Sequence, residues 1–456
     1  MTARVARRAV LVAALSVSAW SVDAADPLVI DLPTVLRLAG AENLDVKIAR
    51  EQLAEAQAAD SAARMQFLPW LSPAAVVRRH DNRIQDVVGN MLETDKQSYT
   101  VGVTATGQVD LGDAIYRKLA AQQALRAATS AVDAQQGDAV LAAATTYFEL
   151  VRARAFGETV REAARISKEY ENQIRRAVEI GIANRGDELR VRVQTQRYEV
   201  ELVRARELER VTAARLAQVL RLDPAVELRP QDEAPVALTL TPADATLTTL
   251  VERALQSRPE LQRGRSLVAA AERLLSGAEK GPLIPTLGAQ VFVGGLGGGV
   301  RGQPSSFGDS EDYALLVGWR IGPGGLFDKS RTRLATARLE RARLEDARTR
   351  DEIVRQVVEN FARVQSTADQ MTATRQNLAT ASQSLQLSQE RKDFGIAAVL
   401  EVIQAQRDLT QARADYLNAV AENDKAQYAL RRAIGQPAAE LAIAPPANSP
   451  MPGARP

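Results

Sequence analysis

Two uninterrupted helical stretches constrain the fold of this chain more than any other feature. Residues 112–180 and 326–394 each form a segment of about 69 residues with a helix-favouring composition and no proline. A helix rises 1.5 Å per residue, so each segment would extend on the order of 100 Å. Because no compact domain contains a helix of that length, the sequence predicts an elongated, mainly α-helical molecule.

The two long segments belong to two copies of one pattern. Landmarks in the first half of the chain recur 214 to 216 residues later. The matching positions are Ala39 with Ala254, Phe67 with Leu283, Tyr99 with Tyr313 and Gly181 with Gly395. Internal repetition is a strong indicator of architecture. We therefore divide the chain into a first repeat over 26–222 and a second repeat over 242–436.

Proline-rich segments separate and follow the repeats. Residues 223–241 contain Pro224, Pro230 and Pro235. Since proline breaks helices and is excluded from the interior of sheets, we expect a connector here. The segment 437–456 is richer still in proline, and we expect it to be disordered.

Each repeat is predicted to contain a medium helix, two strands, the long helix, a tight glycine turn and a second medium helix. The medium helices are expected over 34–66 and 187–222 in the first repeat, and over 242–280 and 399–434 in the second. Two medium helices stacked end to end would match the length of one long helix, with the joints at the connector and the chain ends.

The first 25 residues have the order of a secretory signal peptide. A basic start with Arg4, Arg7 and Arg8 is followed by the apolar run 9–19 and then by small residues. The alternative is a short membrane anchor, but this run falls well below the roughly 20 residues of a transmembrane helix. The sequence therefore predicts export with cleavage near residue 25, and without cysteine the exported chain is not expected to be lipidated.

Short segments between the helices alternate between apolar and small or polar residues. A period of two indicates half-buried β-strands, and lengths of about 9–11 residues are typical of tilted strands that cross an outer membrane. The residues assigned to the apolar face are Tyr99, Val101, Val103, Val291, Val293, Tyr313, Leu315, Val317 and Trp319. The alternative is a small soluble sheet packed on helices.

Four strands per chain cannot close a cylinder. An open sheet edge is not tolerated in lipid, so strands that span a membrane must be pooled from several chains into one barrel. The strand count thus predicts an obligate oligomer.

Composition excludes most enzyme chemistry. The chain has no cysteine, one histidine and a formal net charge of +2. These counts argue against disulfides, zinc sites, a Ser-His-Asp triad and nucleic-acid binding. The glycine-rich segment 297–302 matches a dinucleotide fingerprint by letter only, because no helix start follows it. No cofactor or metal is expected, and we expect that the protein is not an enzyme.

Taken in their duplicated order, these motifs resemble the TolC-type outer-membrane factors, the outer-membrane efflux protein family. The resemblance covers residues 27–436. It rests on the repeated Ala-x-x-x-Asn/Arg-x-Asp/Glu pattern, the Leu-Pro and Ile-Pro dipeptides before the strands, and the Gly-x-Ala-x-x-x-Asp/Glu turns. It implies a mainly α, internally duplicated protein with transmembrane β-structure. In a homotrimer, four strands per chain would form a joint β-barrel, continuous with a long α-helical periplasmic barrel.

The resemblance also implies roles for residues at the far end of the helices. Asp187 and Glu401 match acidic positions of a periplasmic gate, although acids in a first helical turn also simply stabilise the helix. The turn residues expected to contact an adaptor are Gly181, Ile182, Ala183, Gly395, Ile396 and Ala397. The best-known family member has a basic residue where Ala397 stands and a second acid where Gln404 stands. A locking ion pair and a double acidic ring therefore do not carry over.

The predicted function is a passive exit duct in the outer membrane. Its implied partners are a periplasmic adaptor protein, an inner-membrane pump and outer-membrane lipid, in an efflux or type I secretion system. The alternative is a soluble periplasmic coiled-coil adaptor or scaffold.

Overall fold

The computed structural model describes residues 28–223, 226–242, 244–300, 306–393 and 398–441. The predicted signal peptide lies outside the described residues. The helices are α1 (Leu32–Glu42), α2 (Leu44–Met65), α3 (Leu111–Glu179), α4 (Arg185–Leu220), α5 (Leu247–Ser257), α6 (Pro259–Lys280), α7 (Lys329–Asp393), α8 (Val399–Ala433) and α9 (Ala438–Leu441). The strands are β1 (Leu28–Ile30), β2 (Trp70–His80), β3 (Arg83–Gln85), β4 (Met91–Glu93), β5 (Lys96–Asp110), β6 (Leu228–Pro230), β7 (Thr286–Val300) and β8 (Ser306–Gly318).

The long helices form as predicted. Helix α3 has 69 residues and helix α7 has 65. Asp110 caps α3, because its side chain accepts a hydrogen bond from the Asp113 backbone N–H. Helices α2 and α4 both pack along α3, and α6 and α8 both pack along α7. The mainly helical, internally repeated architecture expected from the sequence is therefore confirmed.

The first medium helix of each repeat is not continuous, contrary to the prediction. The first breaks between α1 and α2 at Asn43, and the second breaks between α5 and α6 at Arg258. Asn43 leaves helical geometry and caps α2, with its Oδ1 accepting from the Asp45 backbone N–H at 2.8 Å. Pro259 occupies the first turn of α6 and disfavours a helical conformation at Arg258. Both breaks fall within the duplicated motif.

The connector contains a strand that proline was expected to exclude. Strand β6 pairs in parallel with β1, and Pro230 lies opposite Ile30 at the end of the ladder. A terminal position in a two-stranded sheet does not require the missing N–H, so proline is accommodated. Beyond the second repeat, α9 forms within the segment expected to be disordered, and residues 442–456 lie outside the described residues.

The largest buried side chains are concentrated around the connector. Tyr147 and Leu150 of α3, Leu216 of α4 and Tyr428 of α8 are fully buried there, together with Leu36 of α1. We call this cluster the equatorial core. Elsewhere the helices bury mostly alanine, which allows close approach over the long α-helical contacts.

Among the described residues, no helix combines the length and apolar character needed to cross a membrane.

Candidate functional site

The four-stranded sheet brings the predicted apolar residues onto one face. Its order is β2-β5-β7-β8, with antiparallel neighbours. Val103 lies opposite Val293, and Val291 lies opposite Tyr313. Directly opposed residues point to the same side of a sheet, so the alternation found separately in each strand is in register across all four. We call this side the apolar face.

Eight of the nine predicted residues of the apolar face lie within strands, and Trp319 does not. Strand β8 ends at Gly318, and the chain then bends through Gly322 and Gly324, both with positive φ. The Trp319 indole N–H donates to the Leu283 carbonyl at 3.2 Å, which anchors the end of the sheet to the segment after α6. The prediction that β8 extends through Trp319 was therefore wrong.

The opposite face is lined mostly by small and polar groups. Thr100, Thr104 and Gln108 alternate with the apolar residues of β5. The Phe292 ring lies on the same side, over two glycines: a Cβ added to Gly102 or Gly294 would approach the ring to 2.6 Å or 2.8 Å. Only glycine permits this close packing at positions 102 and 294.

Both outer strands of the sheet have one free edge. Within the described part of the chain, β2 pairs only with β5, and β8 pairs only with β7. The apolar face is also uncovered, since Leu315 is 79% exposed and Val317 is 52% exposed. A sheet with free edges and an exposed apolar face requires further partners in the assembled protein.

The helix tip of the first repeat is a tight turn between α3 and α4. Gly181 has φ +77°, a left-handed conformation that glycine adopts without strain. Ile182 is 79% exposed at the end of the hairpin, and Ala183 follows it. Asn184 caps α4 by accepting from the Gly186 backbone N–H at 3.0 Å, a role that we had not assigned from the sequence.

Each predicted gate acid forms an ion pair near its tip. Asp187 lies in the first turn of α4 and pairs with Arg190 at 2.9 Å. Glu401 lies in the first turn of α8 and pairs with Arg391 of α7 at 3.0 Å, which joins the two helices of the second hairpin. Among the described residues, no hydrogen bond or ion pair joins Asp187 to Glu401. The predicted turn residues Gly395, Ile396 and Ala397 lie outside the described residues.

The two helical hairpins meet just behind the tips. Ile174 of α3, Val191 of α4 and Ile403 of α8 form a small buried cluster. Lys392 of α7 places its Nζ 4.5 Å from the centroid of the Tyr170 ring of α3, a cation–π contact between the repeats. The hairpin ends are therefore held together within one subunit.

A buried carboxylate reinforces the first hairpin. Glu171 of α3 accepts from Lys168 at 3.1 Å and lies 3.6 Å from the Arg192 guanidinium of α4. Burial opposes ionisation, but Lys168, Thr195 and Arg192 together hold the pKa of Glu171 below its usual range. The Lys168–Glu171 spacing was visible in the sequence as an i,i+3 pair, whereas the contact with Arg192 required the fold.

Solved structures share the fold of this chain over most of its length. The chain superposes on a membrane protein from Pseudomonas aeruginosa with a TM-score of 0.76 and 20% identity, covering 89% of this chain and 93% of that one. For the outer membrane protein VceC from Vibrio cholerae, the TM-score is 0.74 at 19% identity, covering 89% and 96%. For the CmeC outer membrane channel of Campylobacter jejuni, it is 0.74 at 16% identity, covering 89% and 85%. The fold is that of outer-membrane channel subunits.

A family match covers the second repeat. Residues 250–436 match the family model described as outer membrane efflux protein. The resemblance that the duplicated motifs indicated is therefore confirmed, and the second repeat carries an outer membrane efflux protein domain. No curated protein sequence matches the chain. The matched family and structures are efflux proteins and channels rather than enzymes, as expected from the composition.

Proposed function

We propose that three copies of this chain form an exit duct through the outer membrane that conducts substrates passively from the periplasm to the outside. The apolar face and free edges of the sheet carry this proposal. Pairing β2 of one subunit with β8 of the next removes every edge, and three subunits give a barrel of twelve strands. The apolar face would then contact lipid, and the face with Thr100, Thr104 and Phe292 would line the pore.

The distribution of charge on the apolar face agrees with a membrane barrel. Glu311 of β8 lies opposite Val293 of β7, and the same line of paired residues continues across the sheet through Val103 of β5 to Pro73 of β2. We call such a line a row. Membrane strands tilt by about 35–45°, so a row that crosses three strand spacings changes depth by roughly 9 Å. The apolar residues of the apolar face accordingly lie closer to the helices in β8 than in β2. A tilted barrel would therefore place Glu311 outside the hydrocarbon.

Assembly and location can be tested together. A tagged full-length chain expressed in a Gram-negative host should be recovered from the outer membrane, run as a heat-sensitive trimer in detergent, and produce conductance in planar bilayers. The alternative function, a soluble periplasmic adaptor or scaffold, would place the protein in the soluble periplasm. That recovery would overturn the proposed duct. N-terminal sequencing of the purified chain would test cleavage of residues 1–25.

The helix tips would contact a periplasmic adaptor that couples the duct to an inner-membrane pump. The exposed turn at Gly181, Ile182 and Ala183 supports this part of the proposal, with the corresponding turn at Gly395, Ile396 and Ala397. Photo-crosslinking residues placed at Ala183 and Ala398 should capture one adaptor in cells. Labels at Leu344, an exposed position in the first quarter of α7 and far from the tips, should not.

We further propose that Asp187 and Glu401 line the constriction of the tube. Threefold symmetry would bring three Glu401 carboxylates around one axis, where they would favour cations. Glu401→Gln should shift the reversal potential toward non-selectivity in asymmetric salt. Glu390→Gln, which removes the same charge from α7, serves as the control and should leave the potential unchanged. An unchanged potential in the Glu401 variant would contradict its role in the constriction.

A further inference from the structure

The junction between sheet and helix differs between the two repeats. In the first repeat, α3 begins at Leu111 directly after Asp110, the last residue of β5. In the second repeat, residues 319–328 separate β8 from α7. We call residues 319–328 the junction turn. It breaks the internal symmetry at the end of the sheet nearest the helices, where the proposed barrel would leave the membrane.

The junction turn has a defined structure. Its ends are joined by two backbone hydrogen bonds, from Leu326 N–H to the Arg320 carbonyl at 2.9 Å and from Gly322 N–H to the Leu326 carbonyl at 3.1 Å. The Asp328 side chain accepts from the Gly324 backbone N–H at 2.8 Å and from the Arg331 backbone N–H at 3.1 Å. The side chains that it displays are therefore held in place.

Phe327 combines an unfavourable backbone conformation with an exposed side chain. Its φ is +68°, a left-handed conformation that is rare for a bulky residue, and its side chain is 85% exposed. Trp319 and Ile321 are exposed as well, and they follow Leu315 and Val317 at the same two-residue spacing in the sequence. The junction turn thus displays three exposed apolar side chains directly beyond the end of the sheet.

A groove of about 640 Å³ lies between the junction turn and the end of α6. Ala278, Pro282, Leu326 and Phe327 give it apolar walls. Lys329 and Arg333, one helical turn apart at the start of α7, line its rim together with the carboxylates of Glu279 and Asp328. Among the described residues, neither of these two cations forms an ion pair, whereas Arg331 between them is bonded to Asp113.

We propose that this groove binds an anionic phospholipid of the periplasmic leaflet. The ring of Phe327 would insert beside the acyl chains, and Lys329 and Arg333 would hold the phosphate. The two carboxylates on the rim are not equivalent, because Asp328 is already bonded to the backbone N–H groups of Gly324, Ser330 and Arg331. Lys329 and Arg333 form no ion pair among the described residues and can therefore hold an anionic headgroup. The junction turn begins directly after the end of β8, so in the proposed barrel the groove would lie at headgroup level. This inference rests on the proposed function, since it requires the sheet to span the membrane.

Depth measurements with spin labels test the location. The chain contains no cysteine, so a single introduced cysteine carries the only nitroxide. In liposomes, labels at F327C and I321C should be accessible to oxygen and protected from a water-soluble nickel chelate, as should a label at L315C on the apolar face. A label at L344C, in the first quarter of α7 and roughly 23 Å along the helix, should show the reverse. If 315 reports lipid but 327 and 321 report water, the groove proposal is wrong and the proposed duct stands. If 315 reports water, the duct itself is wrong.

Lipid titration tests the headgroup. Delipidated trimer would be titrated with phosphatidylglycerol or phosphatidylethanolamine and examined by native mass spectrometry. The variant K329Q/R333Q should bind phosphatidylglycerol roughly thirty-fold more weakly than the unsubstituted protein, since each basic residue at an anionic surface contributes about five-fold. The matched variant R348Q/R350Q removes the same charge about 28 Å further along α7 and should bind normally.

Two results would overturn the lipid assignment. The first is equal retention of phosphatidylglycerol by K329Q/R333Q and by the matched variant. The second is dissociation of the K329Q/R333Q trimer in detergent while R348Q/R350Q stays trimeric, which would show that the groove is occupied by a neighbouring subunit.

Discussion

A fully buried acid lies where the connector crosses α8. Asp424 of α8 has 0% exposure, and its Oδ1 accepts from the Leu238 backbone N–H at 2.8 Å. Its Oδ2 has no hydrogen-bond partner in the described part of the chain. Burial, partly opposed by the Leu238 hydrogen bond and aided by nearby Asp232, raises the pKa of Asp424 to about 8. The neutral acid is therefore the form suited to this site.

The Asp424 carboxyl should make stability depend on pH. An unfolded aspartate titrates near pH 4, so between about pH 4 and pH 8 the folded state keeps a proton that the unfolded state releases. The free energy of unfolding should fall as pH rises through this window, by up to about 1.4 kcal/mol per pH unit. Asp424→Asn keeps an acceptor for Leu238 and should lose this slope in thermal unfolding followed by circular dichroism. Asp408→Asn, at an exposed site of α8, is the control; identical slopes in both variants would disprove the assignment.

A second buried cluster shows what the duplicated motif does. Arg258 donates to the Arg432 carbonyl at 3.0 Å and to Gln356 at 3.0 Å, while Arg432 pairs with Glu260 at 2.6 Å. In the first repeat, the Asn43 amide lies 3.5 Å from the Val219 carbonyl. Asn43 and Arg258, the residues at the two helix breaks, thus each point a donor at the C-terminal carbonyls of the second medium helix of the same repeat, α4 or α8. A cation or an amide donor is favourable at that end of a helix. The motif marks a joint between stacked helices.

Among the elements, those set by local chemistry were predictable from the sequence. The predicted span 112–180 differs by one residue at each end from α3, because Asp110 and Gly181 are local start and stop signals. The alternation of β5 and β7 likewise followed from their own residues. Strand β1 was missed because three residues carry no period, and β8 was extended too far because the junction turn depends on contacts with Leu326 and Asp328.

The candidate site was predictable to a smaller extent. Turn glycines and first-turn acids are recognisable in sequence, so Gly181, Asp187 and Glu401 were located. Their partners were not, since Arg391 lies ten positions from Glu401 and meets it only when the second hairpin closes. The burial of Asp424 was equally invisible, because the connector that covers it is far away in the chain.

Neighbouring positions on β8 should respond oppositely to charge. Leu315 belongs to the apolar face and Ala314 to the opposite face, where it lies opposite Gln290. Leu315→Arg places a charge in lipid and should cost about 2–4 kcal/mol per subunit, whereas Ala314→Arg points into a water-filled pore. Trimer yield after folding into lipid vesicles, read as a heat-sensitive band, should fall only for Leu315→Arg. Equal yields would mean that the apolar face does not contact lipid.

At the scale of the whole molecule, closure of the barrel depends on β2 of one subunit meeting β8 of the next. Within one subunit these strands are three spacings apart, about 14 Å, which is too far for a disulfide. A cysteine at Leu316 combined in turn with one at Ser72, Ala74 or Val76 should give covalent dimers and trimers on oxidation for at least one pair. Denaturing, non-reducing gels would show them.

The matched control for this experiment is a cysteine pair within one subunit. Thr104 and Phe292 lie directly opposite each other on β5 and β7. Cysteines at these positions should form a disulfide within one subunit and produce no covalent dimers or trimers. If every β2–β8 pair fails in membranes while this control oxidises, the proposed closure is incorrect.

The helical body combines two kinds of column: single continuous helices, and pairs of shorter helices stacked end to end. Helices α3 and α7 run unbroken along the body, while each helix beside them is spliced from two shorter pieces at Asn43 or Arg258. A column of two stacked helices can rotate or slide at its joint, whereas a continuous helix resists bending along its full length. A twist applied at the tips would therefore be transmitted by α3 and α7 and absorbed at the joints near the equatorial core. In the proposed trimer, the half of the tube that carries the tips would then open and close while the barrel keeps its shape.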